Sequence, residues 1–177
     1  MIIKRLVNNN FTYLIYRLIF GIKSISVYQL FADDKITKYY QALVAIRYLA
    51  IENYYGMNNF GWDLYKKTLE CRSNKKIEED IEKFKRLINS FEVFGYKKGS
   101  AIYLDKNNCC FNGTHRLALC VWSSIDTISA CHVRRNLKYD SIENLYQSFG
   151  FTSSEVQTIE KAYSRIKEKS EKTNTRK

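Results

Sequence analysis

The sequence predicts an α+β protein whose helices come first and whose strands lie in its second half. The chain of 177 residues contains no proline, which favours long uninterrupted helices over a β-sandwich. Apolar residues recur at intervals of three and four before residue 95, and short β-prone runs bounded by turn residues follow. Hydrophobic residues make up 45% of the chain, which is enough for a folded core.

The composition along the chain divides it into three segments. Residues 1–34 form an apolar and basic segment that we expect to be helical. Residues 35–170 read as one α+β domain, because no repeat or long linker interrupts them. The Lys-, Glu- and Ser-rich composition at the end of the chain predicts a frayed basic tail at 171–177.

Periodicity and turn residues predict the individual elements. A largely buried helix is expected over 35–55, and Gly56 with the pair Asn58-Asn59 ends it. A short helix at 62–72 follows, and then an amphipathic helix with the apolar stripe Ile77, Ile81, Phe84, Leu87, Ile88 and Phe91. Next come a strand at 101–104, a turn at 105–108, a return strand at 109–111, a helix after Gly113, a strand at 126–133 and helices at 141–149 and from Ser153. Thr152 and Glu155 form a predicted capping box for the last helix.

The charge of the chain is strongly positive. Lys and Arg number 29 against 18 Asp and Glu, which gives a formal charge of +11. Such a field attracts nucleic acid, anionic lipid or phosphorylated small molecules, and charge alone leaves all three open.

The stretch Phe11 to Tyr28 is apolar enough to raise the question of a membrane. Arg17 and Lys23 interrupt it, whereas a spanning helix needs about 20 mostly apolar residues. A helix packed on the domain and an amphipathic helix at a membrane surface both fit this pattern. We therefore expect a cytoplasmic protein with a peripheral membrane contact through residues 11–28 as one alternative.

The five cysteines form no C-x-x-C pair, and the two histidines do not complete a zinc set. We expect buried structural thiols in a reducing compartment and no protein-held metal.

The tetrapeptide Gly113-Thr114-His115-Arg116 carries the main chemical signal. It follows a predicted strand and opens a buried helix, whose first amides lack intrahelical acceptors and point out of the helix start. Glycine allows a ligand to approach the backbone, and the Thr, His and Arg side chains add donors suited to phosphate oxygens. The alternative is structural, with His115 in the core and Arg116 paired with a carboxylate.

The segment from Ala101 to Val133 resembles the core of the ParB/sulfiredoxin-like superfamily, in which a D-G-x-H-R-type motif opens a helix after a hairpin. The resemblance implies a small mixed sheet and a nucleotide site whose phosphates are held by Asn112, Gly113, Thr114, His115 and Arg116. ATP or ADP, or CTP, with Mg²⁺, is the implied ligand. The motif is most similar to that of the kinase-like members.

Two positions depart from the superfamily pattern. Thr114 stands where sulfiredoxins carry their catalytic cysteine, and Asn112 replaces the usual aspartate, so it supplies no general base. Glu52, at the end of the predicted long helix, is the first substitute, and it would act with His115 as a catalytic residue. Asp105 is a second substitute. Arg47 and Arg72 are candidates for substrate binding, although solvated positions explain both equally well.

These observations favour a nucleotide-binding phosphotransferase that acts on a small hydroxyl compound, either an amino acid or a sugar. Two alternatives stay open. One is a ParB-like nucleotide-dependent module that binds DNA, although the sequence contains no clear helix-turn-helix. The other is a non-catalytic accessory protein associated with the membrane.

Overall fold

The computed structural model describes residues 10–31, 38–71, 76–97, 100–134 and 141–174. Within these ranges the chain forms seven α-helices and a four-stranded mixed sheet, which confirms the predicted α+β class. The helices are α1 (Asn10–Phe20), α2 (Lys38–Tyr54), α3 (Gly61–Glu70), α4 (Ile77–Phe94), α5 (Thr114–Trp122), α6 (Ile142–Ser148) and α7 (Ser153–Asn174). The strands are β1 (Lys23–Ser26), β2 (Ile102–Leu104), β3 (Cys110–Asn112) and β4 (Thr127–His132).

The sheet has the order β1-β4-β2-β3. Strands β2 and β3 form the predicted antiparallel hairpin, and its turn is held by the Asp105 carboxylate, which accepts the main-chain N–H groups of Asn107 and Cys109 at 2.8 and 2.9 Å. Strand β4 lies parallel to β2, with Ile102 opposite Ala130. A parallel pair needs a crossover, and α5 provides it, so the turn before α5 lies at one end of the sheet.

Strand β1 is the element that sequence analysis missed. The apolar stretch from residue 11 was expected to continue as helix, but α1 ends at Phe20 and Gly21 takes a positive φ of 69°. Residues 23–26 then pair antiparallel with β4, from Lys23 opposite Ala130 to Ser26 opposite Thr127. The hydrogen bonds that define β1 come from a strand about a hundred residues away, so no local pattern predicts it.

The two faces of the sheet are covered differently. Ile102 and Leu104 face the main core, which contains α2, α5 and α7. Tyr103, Cys131 and Val133 point to the opposite face, where α1 covers them with Tyr13, Tyr16 and Phe20. The described helices include none with the length and apolar character needed to cross a membrane.

Helix α2 lies at the centre of the helical layer. All of its residues from 41 to 52 are buried, so it packs against neighbours on every side. Its closest neighbour is α3, because a Cβ added at Gly61 would lie 2.0 Å from the Leu49 carbonyl oxygen. Only glycine permits this approach of the two helices.

The last helix is longer than its composition suggested. Helix α7 continues to Asn174, so residues 171–174 of the predicted frayed tail are helical, and Ile159, Ala162 and Ile166 form its fully buried face. The capping box at its start is confirmed, since Glu155 Oε2 accepts the Thr152 N–H at 2.8 Å and Thr152 Oγ1 accepts the Glu155 N–H at 3.3 Å.

We expect Gly61→Ala to lower the free energy of unfolding by about 2–4 kcal/mol, because the new methyl group forces α2 and α3 apart. Urea denaturation measures the effect. Gly56→Ala is the matched control in the same connection: its φ is +73° and nothing lies within 4 Å of the added carbon, so it costs only the backbone strain of about 1 kcal/mol. Equal losses in the two variants would contradict the close packing of α2 and α3.

Candidate anion-binding site

The candidate site is the turn between β3 and α5. Gly113 has a φ of 98°, and a Cβ at this position would lie 2.7 Å from Cγ2 of Ile102. Both the left-handed conformation and the contact with β2 require glycine. Glycine is therefore required at this position by the contact with the sheet, and the predicted approach of a ligand to the Gly113 backbone is untested.

The start of α5 has no capping side chain at its N-cap position. Gly113 is the N-cap residue, and as a glycine it forms no side-chain cap hydrogen bond with the first turn. The first turn contains no acidic residue. The positive end of the helix dipole is therefore not neutralised by an acidic side chain of the first turn. This condition favours the binding of an anion at the start of a helix.

Arg116 lies beside this turn and is tied to the sheet. Its Nη1 donates to the Ala101 carbonyl oxygen at 2.6 Å, and the residue is half-buried. The salt bridges among described residues give it no carboxylate partner. The hydrogen bond to Ala101 holds the guanidinium next to the sheet.

His115 points away from the sheet, towards α3 and α4. Its Nε2 shares a hydrogen bond of 2.8 Å with the Tyr65 hydroxyl, and its ring meets the edge of Phe84 at 4.5 Å between centroids. A cavity of about 250 Å³ opens next to this ring. It is lined by Tyr65, Leu69, Asp80, Lys83, Phe84, Leu87 and His115.

Arg47 joins the same neighbourhood from α2. It is 2% exposed, its Nη1 donates to the Leu43 carbonyl oxygen at 2.7 Å, and its guanidinium lies 5.6 Å from the centre of the Tyr65 ring. Tyr65 thus connects Arg47 with His115. The predicted substrate contact of Arg47 is untested, and its burial favours a supporting position behind Tyr65.

Tyr65 is the site residue that sequence analysis missed. It lies on α3 among apolar residues and is 2% exposed, so its spacing in the sequence reads as core. Its hydroxyl group indicates a role beyond core packing, because a buried tyrosine hydroxyl requires a polar partner. That partner lies 50 residues further along the chain.

The remaining members of the motif are held by packing. Thr114 is 7% exposed at the first position of α5. The Asn112 side chain lies near Tyr13 of α1, whose pKa is raised chiefly by burial and lowered by Asn112. Asn112 therefore lies next to α1, and Thr114 is buried at the start of α5.

Glu52 lies in a separate environment. Its carboxylate accepts Nη1 and Nη2 of Arg165 at 2.6 and 3.2 Å, and Nδ2 of Asn58 at 3.4 Å. Arg165 belongs to α7, so Glu52 faces α7, whereas the contacts of His115 are with α3 and α4. Its predicted role as a base is untested. The other substitute, Asp105, is fully buried in the hairpin turn, and Arg72 lies outside the described residues.

The described residues contain no group of three or more His, Cys, Asp or Glu side chains that fits a metal ion. The Mg²⁺ that the resemblance implies stays a prediction, since this ion is commonly held by one or two carboxylates together with nucleotide phosphates.

Comparison of the chain with protein-family models, with curated proteins and with solved structures gives no match. The resemblance to the ParB/sulfiredoxin-like superfamily therefore remains an expectation from the motif, and the site is interpreted from its own geometry.

Burial makes the thiols near the site poorly reactive. Burial raises the pKa of Cys110 to about 12, although the nearby guanidinium groups of Arg116 and Arg47 favour the thiolate. Burial also raises the pKa of Cys120 to about 12. Cys109 and Cys131 are buried as well, so the prediction of buried thiols is confirmed for four cysteines and wrong for Cys71, which is exposed.

We expect iodoacetamide at pH 8 to alkylate Cys71 in the folded protein and to leave Cys110 and Cys120 unmodified. A raised pKa means less thiolate at a given pH, and a thiol with a pKa near 12 has only about one part in ten thousand as thiolate at pH 8. Peptide mass spectrometry identifies the sites, and Cys71→Ser is the control that removes the fast adduct. Alkylation of Cys110 at the rate of Cys71 would contradict the packing of this core.

Proposed function

We propose that the protein binds a nucleotide through its phosphates at the start of α5 and transfers a phosphoryl group to a small hydroxyl compound. The observation that carries this proposal is the helix start at Gly113, which has no side-chain cap from its N-cap residue and no acidic residue in its first turn, with the Arg116 guanidinium held beside it by the Ala101 carbonyl oxygen. Main-chain amides and a bidentate guanidinium are the donors that phosphate oxygens accept best. The formal charge of +11 adds a long-range attraction for a polyanion.

The cavity beside His115 is the proposed binding site for the acceptor. His115 belongs both to the turn and to the lining of this cavity, and we propose that it brings an acceptor held there next to a phosphate at the helix start. Its lining is mostly apolar and aromatic, with Asp80 and Lys83 as charged groups. Such a combination orients a small ligand through a few polar contacts.

The proposed reaction moves one phosphoryl group and one proton. The acceptor hydroxyl oxygen attacks the terminal phosphorus, the bond from that phosphorus to the bridging oxygen breaks, and the nucleoside diphosphate or monophosphate leaves. We propose that His115 takes the hydroxyl proton, because it is the titratable residue of the turn and lines the cavity. Glu52, the other candidate, is engaged by Arg165 through both carboxylate oxygens.

We expect Arg116→Ala to weaken nucleotide binding about 10- to 100-fold, because a hydrogen-bonded charge contact is worth about 1.5–3 kcal/mol. Thermal shift titrations with ATP, ADP and CTP, each with and without Mg²⁺, give the dissociation constants. The melting temperature without ligand is recorded first, since Arg116 also bonds Ala101.

Arg86→Ala is the matched control, because Arg86 is exposed on α4 and its loss removes the same charge. It should bind nucleotide within about twofold of the unaltered chain, since surface substitutions away from a site have small effects. Equal affinities of the Arg116 and Arg86 variants, or no binding of any nucleotide, would refute the proposed site.

We expect Glu52→Gln to lower the free energy of unfolding by about 1–3 kcal/mol, because it disrupts the ion pair with Arg165. The variant should retain phosphoryl transfer. His115→Gln should abolish transfer while the nucleotide affinity changes little. Chemical denaturation measures the effect on stability. Incubation with nucleotide and candidate amino acids or sugars, followed by measurement of the released product, gives the effect on phosphoryl transfer. Loss of transfer in Glu52→Gln with retention in His115→Gln would assign the base to Glu52.

A further inference from the structure

Helix α1 is apolar on two opposite sides. One side packs on the sheet through Tyr13, Tyr16 and Phe20. The other side carries Leu14, Ile15, Leu18 and Ile19, which are 53%, 36%, 77% and 66% exposed. We call these four residues, together with Ile22, which follows the helix and is 44% exposed, the α1 outer face. A helix that is apolar all round is normally covered all round, so the α1 outer face requires an occupant.

Side-chain contacts with the sheet fix the orientation of α1. Arg17 Nε donates to the Tyr103 hydroxyl at 2.7 Å, and that hydroxyl donates to the Tyr13 carbonyl oxygen at 3.3 Å. The Cys131 thiol donates to the Tyr16 carbonyl oxygen at 3.4 Å. Rotation of the helix would break these contacts, so the outer face cannot be buried by turning inwards.

The charged residues of the first 32 positions all have one sign. The first acidic residue of the chain is Asp33, and the 32 residues before it contain Lys4, Arg5, Arg17 and Lys23. Lys23 is exposed and follows Ile22 directly, at the end of the outer face. An apolar helix face accompanied by basic residues and lacking acidic ones is typical of helices that lie in the headgroup region of anionic membranes.

A second copy of the chain is a weaker occupant on grounds of area. Five aliphatic side chains at these exposures present on the order of 500 Å², whereas a stable interface between proteins buries roughly 800 Å² on each partner. A bilayer has no such minimum, because its affinity grows with each inserted side chain and each adjacent basic group.

We propose that the α1 outer face docks on an anionic lipid bilayer, with its five aliphatic side chains inserted at the boundary between headgroups and acyl chains. Lys23 would contact the lipid phosphates. The proposal is independent of the nucleotide site, since none of the outer-face residues belongs to the turn at Gly113 or lines the cavity beside His115.

Co-sedimentation of the full chain with vesicles tests the proposal. We expect binding to vesicles of phosphatidylserine and phosphatidylcholine in a ratio of about 3:7, and at least about tenfold weaker binding to pure phosphatidylcholine or at about 0.5 M NaCl. The double variant L18E/I19E should bind the anionic vesicles at least about 30-fold more weakly, because it puts two charges on the most exposed part of the face.

The matched control is V93E/F94E, which replaces two residues that are 71% and 67% exposed at the end of α4 and changes the net charge equally. It should bind within about twofold of the unaltered chain. Circular dichroism verifies folding, and L18S/I19S repeats the test without added charge. Equal binding of the α1 variants and the unaltered chain would overturn the proposal. A dimer that L18E/I19E dissociates, without vesicle binding, would assign the face to a second copy instead.

Discussion

The burial of α2 on every side is the constraint on which the rest of the structure depends. Two charged residues of this helix, Arg47 and Glu52, are 2% and 5% exposed, and a buried charge without a partner costs several kcal/mol. Each therefore has to find its partner inside the protein. Arg47 lies over the Tyr65 ring of α3, and Glu52 pairs with Arg165 of α7. The electrostatic requirements of one helix thus fix two of its neighbours.

The candidate site depends on the first of these contacts. Tyr65 is held between the Arg47 guanidinium and the His115 ring, so a residue deep in the core sets the position of an imidazole at the edge of a cavity. Arg116 is fixed independently by the Ala101 carbonyl oxygen at the start of β2. Separate elements therefore hold the His115 imidazole and the Arg116 guanidinium in place before any ligand binds, and such preorganisation lowers the entropic cost of binding.

Helix α1 completes the sheet on the face away from α2. Its aromatic side covers Tyr103, Cys131 and Val133, and Tyr13 lies near the Asn112 side chain next to the turn. The packing of α1 therefore stabilises both the outer face of the sheet and the residue that precedes Gly113. Its opposite side is apolar as well, and this two-sidedness distinguishes α1 from the amphipathic α4, whose outward residues are mostly Lys and Glu.

The sequence by itself determined the features whose cause is local. These are the buried α2, the apolar stripe of α4, the Asp105 turn, the box of Thr152 and Glu155, and a helix that begins after Gly113. Spacing and turn chemistry act over a few residues, so they are visible in the chain. Tertiary structure alone decided the pairing of β1 with β4, the bond between Tyr65 and His115, and the engagement of Glu52 by Arg165 across 113 residues. Hydrogen bonds and ion pairs between distant segments produce no periodic pattern in the sequence, because their atoms come within reach only when the core is packed.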